Sequence, residues 1–184
     1  MPNLEQKTAR LTVLIDPSKK KAFESLCAAQ DVTPSQVVRR LIRDDLRRTG
    51  YFQPLDPNSF VETGLTLANG PIFPQSTSIG AQAVLYGAVT PRREGRNDFG
   101  FRLYDPYRQC QLVSYQFTAT QEQWRRIAHK ISDVIYQRMT GESGFFDSRV
   151  IFVSEEGTQL NRINRLTIAD QDGFNPTYLT QGDE

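Results

Sequence analysis

Hydrophobic and polar residues alternate along a short stretch near the start of the chain. Leu11, Val13 and Ile15 fall on one face of a predicted strand. The residues on its opposite face are Arg10, Thr12 and Leu14.

Two helices are predicted to follow this strand. Asp16 can cap the first helix, and Pro17 suits its first position. Thr33 can cap the second, with Pro34 in its first turn and Gln36 completing a T-x-x-Q capping box. The apolar stripe of the first helix is Phe23, Leu26 and Cys27, and that of the second is Val37, Val38, Leu41, Ile42 and Leu46. A strand and two helices of this size bury too little apolar surface to fold alone, so we expect a second copy to complete the core.

The segment Arg10–Arg48 resembles the ribbon-helix-helix family of DNA-binding proteins, which includes CopG-like and Arc-like repressors and the DNA-binding halves of many antitoxins. The resemblance covers Lys7 to about Arg48. It implies a homodimer that inserts a two-stranded ribbon into a groove of double-stranded DNA. The implied base contacts are Arg10, Thr12 and Leu14, and the implied phosphate contacts are Lys7, Lys19, Lys20, Lys21, Thr33, Ser35 and Gln36. The implied dimer core is Leu11, Val13, Ile15, Leu26, Val37, Val38, Leu41 and Ile42.

The charge of the chain changes sign along its length. Residues 1–50 hold ten Lys or Arg and six Asp or Glu, a net charge of +4. Residues 51–184 hold twelve and fifteen, a net charge of −3. The basic N-terminal part suits attraction to phosphate. Basic helix faces are also often only solvated surface, and that alternative applies to Arg39, Arg40, Arg43, Arg47 and Arg48.

The second part of the chain has a different pattern. A loop rich in Gly, Pro, Ser and Asn is predicted from Gly50 to about Ser78, and Ile79–Val89 reads as a helix end leading into an apolar strand. Phe99–Asp105 and Gln111–Thr118 are predicted strands joined by a turn at Pro106–Gln109.

A long helix is predicted at Gln121–Thr140. Its apolar stripe is Trp124, Ile127, Ala128, Ile131, Val134 and Ile135. Short strands are then predicted at Val150–Val153, Arg165–Ala169 and Tyr178–Leu179, with a turn at Asp170–Pro176.

These later segments resemble the TolB family of the Tol–Pal cell-envelope system. The resemblance implies an α/β domain followed by a β-propeller, and proteins that bind partner proteins and are not known as enzymes. The predicted fold class is therefore α+β: a dimerising ribbon-helix-helix at 1–49, an incomplete TolB-like α/β domain at 50–148 with short antiparallel strands and one long helix, and a partial propeller blade at 149–184. The segments that carry the resemblance are Asp45–Pro57, Ile79–Pro91, Trp124–Tyr136, Phe146–Val153 and Arg165–Pro176.

The chain departs from the TolB pattern in ways that suggest a fusion. It opens without an apolar leader, so we expect a cytoplasmic protein although the TolB relatives are periplasmic. The first strand of the family's α/β domain is missing. The two resemblances meet within Ser35–Gly50. Leu11, Val13 and Ile15 have two alternatives: pairing with a second chain, or filling the missing edge of the TolB-like sheet.

The sequence holds little catalytic chemistry. His129, the only histidine, is expected to be a surface or interface residue of its helix. Asp170, Asp172 and Asn175 mimic the start of a calcium loop, but no Glu follows at the required spacing, so a turn between strands is expected. We expect no enzyme activity, metal or cofactor, and no membrane insertion, since no stretch approaches the ~20 apolar residues of a spanning helix.

The expected function is that of a ribbon-helix-helix regulator. It would act as an autorepressor or in the manner of an antitoxin, and residues 51–184 would engage a protein partner such as a toxin or a Tol–Pal component. The alternative is a Tol–Pal interaction module without DNA binding.

Overall fold

The computed structural model describes residues 34–56, 59, 70–92, 96–158 and 161–182. The predicted ribbon strand and the first predicted helix lie outside these residues. The elements in chain order are α1 (Pro34–Arg48), α2 (Phe73–Ser78), β1 (Val84–Pro91), β2 (Arg96–Asp105), β3 (Cys110–Thr120), a 3-10 turn (Gln121–Gln123), α3 (Trp124–Thr140), β4 (Arg149–Thr158), β5 (Asn161–Asp170) and β6 (Thr177–Tyr178).

Strands β1, β2 and β3 form an antiparallel sheet with β2 in the centre. Leu103 of β2 lies between Leu85 of β1 and Val113 of β3. Side chains two residues apart on a strand share a face, so Phe101 points the same way as Leu103, and each is only 2% exposed. The strands predicted over 99–105 and 111–118 are confirmed, each somewhat longer than predicted.

A tight turn joins β2 to β3. The Oδ1 atom of Asp105 accepts hydrogen bonds from the backbone N–H groups of Tyr107 and Arg108, each at 2.9 Å. Gln109 adopts a positive φ of 51° before β3 begins. An aspartate that binds the backbone N–H groups following it is a common way to close a turn, and the predicted turn is confirmed.

Helices α1 and α3 cover the apolar face of this first sheet. The buried positions of α3 are spaced three and four residues apart, as predicted, while Trp124 and Val134 at the edges of the stripe are half-buried. Gly141 ends α3 in the left-handed conformation, with φ 83° and its N–H bonded to the Gln137 carbonyl at 2.9 Å. The buried residues of the common core are Val38, Leu41, Ile42, Leu46, Phe99, Phe101, Leu103, Ala119, Ile127, Ala128, Ile131, Ile135, Tyr136 and Phe146.

Helix α2 corrects the prediction of an uninterrupted loop up to Ser78. It has only six residues and begins with Phe73 and Pro74. The ring of Phe73 packs edge-on against Tyr104, with centroids 6.2 Å apart. A tertiary contact therefore stabilises a short helix whose own sequence is a weak helix former.

Strands β4, β5 and β6 form a second antiparallel sheet in that order. The β4–β5 pairing runs from Arg149 opposite Asp170 to Thr158 opposite Asn161, beyond the short strands predicted. Ile151 and Val153 on one face of β4 are 61% and 63% exposed, and Val150 and Phe152 on the other face are 42% and 41% exposed. Both faces of this strand are thus open to solvent.

The described elements confirm the predicted α+β class, with two small antiparallel sheets and one long helix. The predicted division at 49/50 and 148/149 stays a prediction. None of the helices in the described part of the chain has the length and apolar character needed to cross a bilayer.

Candidate functional site

Helix α1 has a basic solvent side. Arg39 and Arg40 are exposed along it, and Arg47 and Arg48 are exposed in its last turn. The positive charges of Arg47 and Arg48 also interact favourably with the negative end of the helix dipole, a role that needs no ligand. Arg40 lies 4.0 Å from Asp44, a solvated ion pair of little energetic value.

The start of α1 holds two of the predicted phosphate contacts. Gln36 is exposed, whereas Ser35 is half-buried beside a narrow cleft between α1 and β1. Arg39 partly closes that cleft by donating from Nη2 to the Gly87 carbonyl at 3.5 Å. The cleft has room for only a few water molecules, so it does not form a small-molecule pocket.

The remaining predicted DNA contacts lie outside the described residues, and their roles stay predictions. They are Lys7, Arg10, Thr12, Leu14, Lys19, Lys20, Lys21 and Thr33. Four of the predicted dimer-core residues also lie outside: Leu11, Val13, Ile15 and Leu26.

The buried side of α1 packs within its own subunit. Val38, Leu41 and Ile42 are 7%, 8% and 5% exposed and belong to the core shared with the first sheet and α3, while Val37 is half-buried. These are the described members of the predicted dimer core. While α1 is packed in this way, a second copy cannot contact the three buried residues.

One carboxylate interrupts the apolar side of α1. Asp45 is fully buried, and its Oδ2 atom accepts hydrogen bonds from His129 Nδ1 and Ser132 Oγ, each at 2.8 Å. Both donors project from α3, where a spacing of three residues places them on one face. Asp45, His129 and Ser132, which we call the polar lock, therefore join α1 to α3 inside the core.

His129 is 3% exposed and contacts Asp45 across the interface of two helices, so of the two predicted positions, surface or interface, the structure excludes the surface. Burial acts to lower the pKa of His129. The hydrogen bond and charge of Asp45, together with the charge of Asp172, outweigh burial and the opposing charge of Arg125, and the pKa is raised above its usual value. The protonated imidazole is therefore favoured in the folded state.

The polar lock extends to the second sheet through the turn before β6. Asp172, whose side chain is 3% exposed, lies 3.6 Å from His129 Nε2 and forms an ion pair with Arg125 of α3. The Arg125 guanidinium also lies 3.8 Å from the ring centroid of Phe174 in the same turn. Internal hydrogen bonds hold this turn, including Asn175 Nδ2 to Asp170 Oδ2 at 3.2 Å. Its geometry fits the predicted turn between strands.

The polar lock does not have the geometry of a catalytic triad. Ser132 and His129 both bind the same carboxylate, and the serine hydroxyl is not bonded to the imidazole. All three side chains are at most 3% exposed, so a substrate could not reach them. Among the described residues, no group of His, Cys, Asp or Glu is arranged to hold a metal ion.

Comparison with known proteins finds similarity to ribbon-helix-helix proteins and to TolB, the two families that the sequence resembles. Residues 4–48 match the family described as Ribbon-helix-helix protein. The chain is also similar to the Tol-Pal system protein TolB of Paramagnetospirillum magneticum, with 38% identity over 157 residues, which is 85% of this chain and 35% of that protein.

A solved structure shows the same fold. The crystal structure of TolB from Acinetobacter baumannii superposes with a TM-score of 0.67 and 25% identity, covering 78% of this chain and 35% of that one. The chain thus spans about a third of the length of the relatives it matches.

Helix α1 lies inside both matches. Because the TolB alignment spans 157 of 184 residues, it starts no later than residue 28, before α1 begins at Pro34. The ribbon-helix-helix match ends at residue 48, where α1 ends. The chain therefore joins a ribbon-helix-helix segment to a TolB-like fold, and the two share one helix.

Proposed function

We propose that the chain is a DNA-binding regulator that pairs with a second copy through residues 4–48 and presents its TolB-like part to a protein partner. The ribbon-helix-helix match over residues 4–48 carries this proposal. In such proteins two strands, one from each copy, enter a groove of double-stranded DNA. The proposed base contacts are Arg10 and Thr12, with Leu14 limited to apolar contact.

Electrostatics supports this proposal. Residues 1–50 carry a net charge of +4, and α1 exposes Arg39, Arg40, Arg47 and Arg48 to solvent. Lys7 and the run Lys19–Lys21 precede α1 and would add contacts to phosphate. Such contacts release counterions, so the affinity should fall steeply as the salt concentration rises.

The TolB-like part supplies a surface for a protein partner. Strand β4 exposes apolar residues on both faces, and exposed apolar patches of this kind are typical of protein contacts. The partner would be a toxin, if the chain acts in the manner of an antitoxin, or a component of a Tol–Pal system. An autorepressor role and a cytoplasmic location belong to the same proposal, which involves neither catalysis nor a cofactor.

The test is a titration of duplex DNA with the full chain and two variants, Arg10→Ala and Thr12→Ala. Each variant removes a proposed base contact and should weaken binding to a selected operator by about 1–3 kcal/mol while relaxing sequence preference at one position. Arg138→Ala is the matched control, since it removes an exposed arginine at the far end of α3. If both variants keep the affinity and the sequence preference of the wild type, the assignment of Arg10 and Thr12 as base contacts is wrong.

A second candidate is a TolB-like interaction module that does not bind DNA. The burial of Val38, Leu41 and Ile42 within one subunit favours it, because these residues are then unavailable to a dimer. This candidate predicts a monomer that is indifferent to DNA and is captured by Tol–Pal components in a pull-down.

A further inference from the structure

Helix α1 has one apolar face and two possible partners for it. In the structure Val38, Leu41 and Ile42 are buried in the core of their own subunit. The same three residues belong to the proposed core of a ribbon-helix-helix dimer, since α1 ends the segment that matches that family. A side chain cannot be buried at both places at once, so the two arrangements exclude each other.

We infer that packing of α1 against α3 holds the chain in a monomeric form, and that release of α1 permits two copies to pair and to bind duplex DNA. The inference rests on the proposed DNA-binding function and adds a means of regulating it. The DNA-binding dimer and the monomeric interaction module, which are the two candidate functions above, then become two states of one molecule.

The polar lock makes the packed state specific. Asp45 is buried with its carboxylate on His129 and Ser132, and both donors belong to α3, outside residues 4–48. Release of α1 separates the carboxylate from these donors. A buried charged pair adds little net stability compared with apolar side chains of similar volume, and it favours the one arrangement of α1 in which Asp45 meets both donors.

The pH should shift the balance between the two states. Among the described residues, the charged groups near His129 are Asp45 of α1, Asp172 of the turn before β6, and Arg125 and Asp133 of its own helix. The pKa of His129 is raised in the packed state, so the polar lock is complete below the ordinary histidine pKa of about 6.5. It weakens as the pH rises through the raised pKa, and release of α1 should then increase.

The size of the effect follows from the populations. If only a small fraction of molecules has α1 released, the apparent affinity of two copies for each other is reduced by the square of that fraction, because both copies must release α1, and DNA binding by the pair is reduced with it. Breaking the polar lock from the α3 side raises the fraction and leaves every residue of the ribbon-helix-helix segment unchanged. We expect His129→Ala to tighten dimerisation and DNA binding by at least about tenfold.

The experiment uses the full chain as wild type, His129→Ala, Ser132→Ala and Arg126→Gln. Arg126→Gln is the matched control on α3, because the Arg126 side chain is 64% exposed and pairs with Asp147 rather than with a residue of α1 or of the polar lock. Sedimentation velocity gives the dimer dissociation constant, fluorescence anisotropy gives the affinity for duplex DNA, and both are repeated between about pH 6 and pH 8.5 around the histidine pKa. Circular dichroism checks that each variant is folded.

We expect His129→Ala to dimerise and to bind DNA more tightly than the wild type, Ser132→Ala to do so by a smaller factor, and Arg126→Gln to match the wild type. The wild type should dimerise more tightly at high pH, and this dependence should vanish in His129→Ala. If His129→Ala fails to fold, the Ser132→Ala variant and the pH series of the wild type still test whether release of α1 controls dimerisation.

Two failures can be told apart. If the wild type dimerises and binds DNA but Ser132→Ala, His129→Ala and a change of pH leave both unchanged, the inference is overturned and the proposed function stands. If neither the wild type nor any variant dimerises or binds DNA at any pH, the proposed function itself fails.

Discussion

Replacement of Asp45 by alanine tests the energetic role of the polar lock. The residue is fully buried, and its carboxylate accepts two hydrogen bonds at 2.8 Å. Removing it leaves the His129 Nδ1 donor buried without its acceptor, whereas the Ser132 hydroxyl keeps the Ala128 carbonyl as an acceptor at 3.0 Å. Removal of one partner of a buried charged pair typically costs about 3–5 kcal/mol. We expect a loss of about 3 kcal/mol in the free energy of unfolding at pH 6, because Asp45 also pays a desolvation cost in the wild type.

Asp44→Ala is the control for this variant. The neighbouring carboxylate is 37% exposed and lies 4.0 Å from Arg40. Both variants introduce alanine into the same turn of α1, so the gain in helix propensity cancels in the comparison. We expect Asp44→Ala to change the free energy of unfolding by less than about 0.5 kcal/mol.

Urea unfolding followed by circular dichroism and by the fluorescence of Trp124 measures both variants. Linear extrapolation gives the free energy of unfolding in water. The loss caused by Asp45→Ala should be smaller at pH 8.5 than at pH 6, because a neutral His129 binds the carboxylate less strongly. If Asp45→Ala is no more destabilising than Asp44→Ala at pH 6, the polar lock does not hold α1.

Three further outcomes follow from other parts of the structure. Phe101 is 2% exposed in the first sheet, so Phe101→Ala should lower the free energy of unfolding by about 3–5 kcal/mol, as measured by the shift of the urea midpoint. A loss below about 1 kcal/mol would contradict its place in the core. Gly157 has φ +102°, and an added Cβ would overlap the Asn161 carbonyl, so Gly157→Ala should destabilise the β4–β5 hairpin by about 1–3 kcal/mol. Glu155→Gln is the comparison in the same hairpin and should cost less than about 1 kcal/mol, because it removes only a solvated ion pair with Arg162. The wild type should lose stability as the pH rises through the raised pKa of His129, and His129→Gln should lack that loss; equal pH profiles would refute the assignment.

Periodicity predicted the elements that have one well-defined buried face. The stripe that includes Ile127, Ile131 and Ile135 specified α3, and alternation through Phe99, Phe101 and Leu103 specified β2. These patterns survive folding because each element buries one side against the same core.

Elements held by tertiary contacts were missed or shortened. Helix α2 depends on the packing of Phe73 against Tyr104, a contact across 31 positions that no local pattern signals. The outer part of the β4–β5 hairpin is polar and exposed, so its sequence lacks the alternation of a half-buried strand. Cross-strand ion pairs, such as Arg165 with Glu156 at 2.6 Å, accompany the backbone pairing there.

The polar lock was also beyond the sequence patterns. Asp45 and His129 are 84 positions apart, and only the fold brings them together. One signal was present: Asp45 stands among Leu41, Ile42 and Leu46, inside an apolar stripe. A lone carboxylate in a buried face needs a partner. His129 is the only histidine of the chain and lies in the predicted helix Gln121–Thr140, so it was a candidate for that partner.

The claim that two copies of this chain pair on DNA is tested most directly by light scattering and gel shift with duplex DNA at two salt concentrations. The account predicts a complex that holds two chains, with an affinity that falls about a thousandfold between roughly 50 and 200 mM salt if six or more phosphates are contacted. If the particle has single-chain mass and leaves the DNA unshifted at the lower salt concentration, in the wild type and in His129→Ala alike, the account is contradicted, and the TolB-like interaction module alone would then describe the chain.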